Sequence, residues 1–321
     1  MLRFLIRRVL TGLLVIWLIS IVVFAIFFIA PPNVAYLLLG KFQASNQQLV
    51  AQVTHQLGLD QPIPVQYWNF LVRLVHGNLG YSYYNGEPVT TLIGRALPVT
   101  ASLAVGAAII WVISGVLIGV MSATHPRSIR DRLATLFALT GLSFPTFVLG
   151  LILLYFLFYK LHIAGLDWFP GGGYVPLTQD PWQWFLHLIL PWITLAVASM
   201  AVYVRLARGQ MLEVLGDDYI RTARSKGLSE SRVTFRHALR AALVPIVTQF
   251  GIDVATLLGG AIVTEQVFGL NGLGRLSVTS VVNQDEPVII AIVLLAAVFV
   301  VCANIVVDIL YAALDPRVRL S

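Results

Sequence analysis

Apolar residues in this chain gather into six long runs, each closed by polar or basic residues. The first is Leu10–Ala30, the second lies within Ala96–Thr124, the third within Leu133–Tyr159 and the fourth within Trp184–Tyr203. The fifth runs from about Val244 to Thr264 and the sixth from about Val288 to Val307. About 20 apolar residues suffice to cross a bilayer as a helix. The pattern therefore predicts an all-α membrane protein with six transmembrane helices. A basic leader, MLRFLIRR, precedes the first run. The run is longer than the roughly 7–15 apolar residues of a secretory signal and ends in Pro31–Pro32, so an uncleaved span is expected. Pro145, in SFPTF, predicts a bend in the third run. Gly115 and Gly119 form a GxxxG pair of the kind that lets another helix approach closely, although such pairs also arise by chance in glycine-rich spans.

Composition agrees with this reading. Of 321 residues, 58% are hydrophobic and 11% charged, with a mean hydropathy of +0.84, against about a quarter charged in ordinary globular chains. Six spans put both termini on one side. With the N-terminus inside, the internal segments hold Arg3, Arg7, Arg8, Arg127, Arg130, Arg132, Arg205, Arg208, Arg221, Arg224, Lys226, Arg232, Arg236, Arg240, Arg317 and Arg319. The external segments hold Lys41, Arg73, Arg95, Lys160 and Arg275, so the ratio is 16 to 5 and the positive-inside rule sets the orientation. The net charge of +6 and pI of about 9.6 follow from these loops and require no nucleic-acid partner. The single cysteine, Cys302, excludes an intrachain disulfide.

Between the first two runs, residues 31–98 form a mixed external segment that reads as short helices and turns. It holds the Gln-rich SNQQLVAQVTHQLGLD and a Pro62–Pro64 break. Its Tyr67, Trp68, Tyr81, Tyr83 and Tyr84 either mark a membrane interface or pack locally. The most polar and basic stretch is Tyr219–Pro245. Gly227, which reaches φ > 0 easily, divides it into two short helical halves. Ser229 is placed to cap the second half, with Glu230 favouring its positive end. Arg232, Arg236 and Arg240 recur every fourth residue as one charged stripe. Pro245 falls where the next helix is expected to begin. The stretch reads as a folded helix–turn–helix loop at a membrane surface, shaped for docking.

The sequence lacks G-x-x-x-x-G-K-[ST], HExxH, CxxC and G-x-S-x-G, so no phosphate loop, metal site or nucleophile elbow is expected. His55, His76, His125, His162, His187 and His237 are scattered, and Gly171–Gly173 reads as a turn. No catalytic residue and no cofactor are expected. Charged groups within spans are costly and mark functional candidates. In the fifth run, Gln249, Asp253, Thr256, Gly260 and Thr264 recur at helical spacing on one face. Such a stripe is either an interhelical hydrogen-bond seam or the wall of a hydrated passage, and these residue types serve both. Asn304 and Asp308 repeat the theme in the sixth run, where Asp308 is expected to snorkel or to pair with a loop arginine.

RTARSKGLSESRVTFRHALRAALVP resembles the cytoplasmic EAA loop of ABC-transporter permeases, and most closely the peptide and nickel permease branch. There the pattern is ARAKG, a spacer, then RHALRNALLP; Ala223, Arg224, Lys226, Gly227, Arg236, His237, Ala238, Leu239, Arg240 and Pro245 match it. Downstream, Glu265, Phe268, Gly272 and Gly274 match the branch's LLGG, E-x-x-F and PGLG elements, and Asp308, Tyr311, Asp315, Pro316 and Arg317 match its C-terminal DLLYALLDPR. The external LGLDQPIPVQYWNFL and GNLGYS are also similar to the branch, whereas APPNVA stands where it often has PGDP. The resemblance implies a type I ABC importer transmembrane fold. Residues 1–95 would hold the first span and external segment, and 96–313 the core permease domain with its coupling loop at 204–243. Residues 314–321 would form a cytoplasmic tail. It implies a non-catalytic pore subunit in a prokaryotic plasma membrane. Its partners would be a homologous second permease, two ABC ATPases that hydrolyse ATP and an external binding protein.

The cargo implied is a di- or oligopeptide, with nickel chelates, glutathione or oligosaccharides as alternatives in the same class. The implied coupling residues are Tyr219, Ala223, Arg224, Lys226, Gly227, Leu228, Ser229, Ser231, Arg232, Arg236 and His237. Pathway candidates are Gln249, Asp253, Thr256, Gly260, Thr264 and Glu265. A stand-alone secondary transporter or channel would need an ion relay of its own, and a membrane scaffold would not need the polar stripe.

Overall fold

The computed structural model describes residues 2–29, 54–55, 60–82 and 84–314, and leaves aside the side chains of 2–5, 255, 256, 258–260 and 310–314. Pro31–Pro32, most of the Gln-rich stretch, Tyr83 and the Asp315–Pro316–Arg317 motif lie outside the described residues, as do the side chains of Arg3, Thr256 and Tyr311 and the surroundings of Gly260. Helix α1, Leu2–Phe24, continues through a π-helical turn to Ile29. After it come α2 (Ile63–Val75) and a hairpin of β1 (Tyr81–Ser82) and β2 (Glu87–Pro88) in antiparallel register, Ser82 opposite Glu87. Then follow α3 (Val89–Thr124), α4 (Ile129–Ser143) and α5 (Thr146–Leu153, prolonged by π-helical and α-helical turns to Ile163). Helix α6 is Pro181–Leu215, α7 Asp218–Ser225 and α8 Leu239–Val267, the last entered through Glu230–Arg232 and a π-helical Val233–Ala238. Helices α9 (Leu273–Val282) and α10 (Glu286–Leu314) close the chain.

Five helices among the described residues are long and apolar enough to cross a membrane: Ile6–Ile29, Val89–Thr124, Thr146–Ile163, Pro181–Leu215 and Glu286–Ile309. The expected fifth span lies in α8, whose 29 residues reach about 43 Å at 1.5 Å per residue. The third expected span is broken rather than bent. Phe144 takes the extended geometry that a residue before proline prefers, φ −88 and ψ 125, so α4 stops at Ser143 and the membrane-length helix starts beyond Pro145. Pro245 departs from expectation in the other direction: it sits inside α8 instead of starting it. A proline inside a helix costs about 3 kcal/mol. Here the helix runs on because Ala238, Ala242 and Ile246, four residues apart, form an unbroken buried seam.

The chain divides into two compact units. One comprises Pro98–Gly274 with the chain from Ala303 onward, the other Leu2–Leu97 with Arg275–Cys302. In the second, Val23 and Phe24 of α1, Phe70 of α2 and Ile290 and Leu294 of α10 share a core. Its hairpin is clasped by Ser82, whose hydroxyl donates to Asp285, while Asn85 Nδ2 donates to Ser82 Oγ at 2.9 Å.

In the first unit α6 is the shaft against which α3, α4, α5 and α8 pack. Asp180 caps it, its Oδ1 accepting from the Trp182 and Gln183 amides at 2.9 and 3.0 Å. The GxxxG pair of α3 is a real crossing. A Cβ added at Gly115 would stand 2.6 Å from Tyr203 Cβ, and one at Gly119 would stand 2.6 Å from Ala207 Cβ and 2.8 Å from the Val204 carbonyl. Gly141 meets Ala201 at 3.0 Å in the same way, bringing α4 onto the shaft. Trp192 covers Gly106 and donates its indole N–H to the Ser102 carbonyl at 2.9 Å.

A buried ion pair locks one end of this packing. Arg208 of α6 donates through Nε to Asp131 Oδ1 at 2.7 Å and through Nη2 to Oδ2 at 3.1 Å. Ser122 of α3 adds a hydroxyl donor at 2.6 Å and the Arg127 amide another at 2.9 Å. The Asp131 side chain is 8% exposed and that of Arg208 33%. The Arg208 guanidinium, then Ser122 and the Arg127 amide, hold the Asp131 carboxyl well below the usual carboxylate range. A depressed carboxylate stabilises the fold above its unfolded pKa and loses that contribution only as pH falls through the folded value. The node is therefore charged and intact at neutral pH.

Gly119→Leu is expected to abolish the folded permease, because its Cβ meets backbone and a second Cβ rather than a flexible tip. Gly209→Ala, on α6, meets nothing within 4 Å and is expected to leave the melting temperature in detergent unchanged or raised, alanine being favoured over glycine in a helix by about 0.5–1 kcal/mol. A stable Gly119→Leu protein would refute the close crossing.

Candidate functional site

The basic stretch folds as α7, a tight turn and the entry to α8. Helix α7 ends in a Schellman motif: the Gly227 amide donates to the Arg224 carbonyl at 2.9 Å and the Leu228 amide to the Ala223 carbonyl at 3.4 Å. Gly227 has φ +76, the left-handed value its place in the sequence predicts. Leu228 follows as the hydrophobic plug of the motif, half-buried against the core. Ile220 and Ala223 turn inward beside Val233, Ala238 and Ala242. Tyr219, Arg224, Ser225, Lys226, Ser229 and Ser231 face outward. The turn is thus a rigid outward bend anchored from below.

Arg224 bridges the turn, donating from Nε to Glu230 Oε1 at 2.9 Å and from Nη2 to Oε2 at 3.3 Å. Ser229 stands at the N-cap, but its hydroxyl makes no capping bond there; only its carbonyl accepts from Val233, at 3.0 Å. Arg232, Arg236 and Arg240 are all exposed, as expected of the basic stripe, while Phe235 stands out among them and His237 is half-buried. The π-helical Val233–Ala238 was not legible in the periodicity, and π turns recur at functional positions.

The polar stripe of α8 separates into two parts. Gln249 and Asp253 are half-buried, with Gln249 Nε2 donating to Asp253 Oδ1 at 2.8 Å. Thr264 and Glu265 are sealed in protein at 1% and 0% exposure. Thr100 donates its hydroxyl to Glu265 Oε1 at 2.6 Å and accepts the Leu273 amide at 2.7 Å. Gly272 lies directly against the Glu265 carboxylate, and a Cβ at Gly274 would stand 2.7 Å from the Ile262 backbone. Only glycine leaves room there. Thr256 and Gly260 lie on α8 between the two parts, outside the described side chains. An apolar groove of about 660 Å³, lined by Ala101, Val105, Ile109, Trp184, Phe185 and Trp192 among others, contains none of the pathway candidates.

Sequence reasoning missed the Asp131–Arg208–Ser122 node. A signal was present: Asp131 is one of only 15 acids in the chain, and an acid beside an apolar run needs a partner. It missed Asp285 in the same way. Among the described residues no group of three or more His, Cys, Asp or Glu is placed to hold a metal ion.

Residues 115–320 match the family described as binding-protein-dependent transport system inner membrane component, and residues 1–104 match the N-terminal component of such systems. A probable peptide ABC transporter permease protein, y4tP of Sinorhizobium fredii, is 39% identical over 316 residues, covering 98% of this chain and 99% of that one. The glutathione transport system permease protein GsiC of Salmonella typhimurium is 39% identical over 319 residues, covering 99% of both. Among solved structures, the inward-facing MetNI methionine ABC transporter matches with a TM-score of 0.53 and 19% identity, covering 70% of this chain and 96% of that one; this likeness concerns the fold. Helical architecture, full-length relatives and family match agree: the chain belongs to the binding-protein-dependent transport system inner membrane components, the multi-pass permease subunits of ABC importers.

Proposed function

We propose that this permease forms half of the translocation pathway for di- and oligopeptides and is driven through the α7 turn. The observation that carries this reading is a rigid, exposed, basic turn anchored to the end of α6 in a chain with no phosphate-binding loop. Force must reach such a chain from other subunits, and this turn is the best-anchored handle. Two ABC ATPases bind on the cytoplasmic side. Tyr219, Arg224, Lys226, Ser229, Ser231, Arg232 and Arg236 meet one of them, while Ala223 and Leu228 hold the turn from beneath. A homologous second permease completes a heterodimeric pore, and an external binding protein delivers cargo to the 31–98 side. The 16-to-5 distribution of basic residues supports cytoplasmic termini and a cytoplasmic α7 turn. Peptide cargo is supported by two relatives, one named for peptides and one for glutathione, itself a tripeptide. Nickel chelates and oligosaccharides are the alternatives.

On the pathway, Gln249 and Asp253 are the residues placed to meet cargo or water, whereas Thr264 and Glu265 act as a structural latch. A stand-alone ion-coupled transporter gains little support from one sealed acid and one acid bonded to a glutamine.

Gly227→Val is expected to insert and assemble normally yet lose substrate-stimulated ATPase activity and uptake together. The cause is backbone strain alone, about 1–3 kcal/mol, since nothing lies within 4 Å of the new Cβ. Gly227→Asn, which tolerates the left-handed region, is expected to retain most uptake. Full transport by the valine variant would remove the turn from the mechanism.

Asp253→Asn is expected to keep normal assembly while changing uptake. Glu265→Ala leaves the Thr100 hydroxyl without its buried acceptor, a loss of about 1–3 kcal/mol, and is expected to lower the yield of assembled complex. Equal effects of the two variants on assembly would refute the division between pathway and latch.

Cysteine placed at Ser229 in a Cys302→Ser background is expected to label only from the cytoplasm and cysteine at Tyr84 only from outside. Tyr84 is the suitable external probe because the neighbouring Ser82 is fully buried. Reversed labelling would overturn the orientation.

A further inference from the structure

Helix α2 has three faces, and among the described residues one of them packs into an apolar core. Tyr67, Phe70, Leu71 and Leu74 pack toward α1 and α10. At about 100° per residue, Val65, Trp68, Val72 and Val75 fall together on a second face. All four are exposed, Trp68 by 66% and Val75 by 84%. Gln66, Asn69 and Arg73 make a third, polar face, and Gln61 ties two of them through hydrogen bonds from Gln66 Nε2 (2.7 Å) and Asn69 Nδ2 (3.1 Å). A soluble surface helix needs only an inner apolar face and an outer polar one. A second apolar face that the described residues leave exposed calls for a second apolar medium.

The depth of α2 identifies that medium. Tyr67 and Ser20 share a hydroxyl–hydroxyl hydrogen bond of 2.8 Å. Ser20 lies nine residues before Ile29, the end of the 24-residue span Ile6–Ile29 (29 − 20 = 9), which places it roughly 10–14 Å along the helix from that end. The span is about as long as the hydrocarbon core is thick, so Ile29 stands near its boundary. The Tyr67 hydroxyl is therefore on the order of 10 Å inside the boundary. The Phe70 ring packs against Phe24 and Phe28, nearer the Ile29 end, so the inner face of α2 lies at about the 5–10 Å depth typical of interfacial helices. On α1 itself, Leu18, Val22 and Ile26 are exposed and apolar, so α1 presents a lipid-facing surface at the same depth as Ser20.

We infer that α2 is an interfacial helix embedded in the membrane, with Val65, Trp68, Val72 and Val75 in the acyl chains and Gln66, Asn69 and Arg73 toward water. The leaflet is the one at the Ile29 end of α1, the outer leaflet in the orientation proposed above. That orientation supplies only the leaflet's name. The helix thereby fixes the Ile63–Val75 part of the external segment at the membrane surface, held on one side by α1 and on another by lipid.

The test uses the assembled transporter in phosphatidylethanolamine–phosphatidylglycerol liposomes, with Cys302→Ser and single cysteines at 66, 68, 69, 72, 73 and 75 carrying a nitroxide. Collision with oxygen, which partitions into lipid, is expected to peak at 68, 72 and 75. Collision with a water-soluble nickel chelate is expected to peak at 66, 69 and 73. Nickel maxima at 68, 72 and 75 would overturn the inference by showing water there. Low access to both reagents at those positions would overturn it by showing a protein partner. A label-free check compares the unmodified transporter with Trp68→Phe in brominated lipid. The bromine-quenchable emission is expected to fall in the variant, and equal quenching in both would count against lipid contact at Trp68.

Discussion

The close approach of α3 to α6 is the constraint on which the larger unit depends. Gly115 and Gly119 bring the two backbones so near that a single methyl at either has no room. In a bilayer, lipid tails are as apolar as leucine, so helices gain little by hiding apolar side chains from their surroundings; packing contact and hydrogen bonding must supply the association. Glycine and alanine at the crossing maximise that contact. Gly141 repeats the device for α4, so α6 becomes a shaft gripped on two sides.

Buried polar groups within the same unit follow from this tight packing, because little water reaches them and protein groups must satisfy them. Asp131 gathers donors from Arg208, Ser122 and the Arg127 amide. Glu265 accepts from Thr100, which in turn accepts from Leu273. Removing one partner of a buried ion pair typically costs about 3–5 kcal/mol, reduced for Asp131 and Arg208 because the arginine is a third exposed. Each node joins elements far apart in the chain and so fixes how they meet. Each also specifies small neighbours: Gly272 is glycine because Glu265 occupies the space its side chain would take.

The α7 turn draws its rigidity from a different source. Its hydrogen bonds are local, and its anchor is a short inward row of Ile220, Ala223 and Leu228. A turn closed by its own backbone and plugged from beneath keeps its shape while its outer face remains free to meet another subunit. That combination suits a part that transmits motion rather than absorbing it.

Much of this was decided by the sequence alone, for reasons that are local or periodic. Runs of apolar residues long enough to span hydrocarbon can hardly do otherwise. The left-handed turn at Gly227 follows from the steric limits of a single residue, whereas Pro145, which the sequence suggested would bend one helix, separates two. The basic turn and its resemblance to a permease loop were legible because they lie in one contiguous stretch. Tertiary structure decided what depended on distant partners. Thr100 and Glu265 are 165 positions apart, and Asp131 and Arg208 are 77 apart; no spacing rule links them. The polar stripe of α8 looked uniform, yet its Thr264–Glu265 end is sealed because α3 and the Asn271–Gly274 stretch close over it, while Gln249 and Asp253 stay half-open. Pro245 was read as a helix start from its own geometry, but the buried seam of Ala238, Ala242 and Ile246 carried α8 through it. Local sterics set what each residue prefers; packing against a neighbour from elsewhere in the chain decides which preference is overruled.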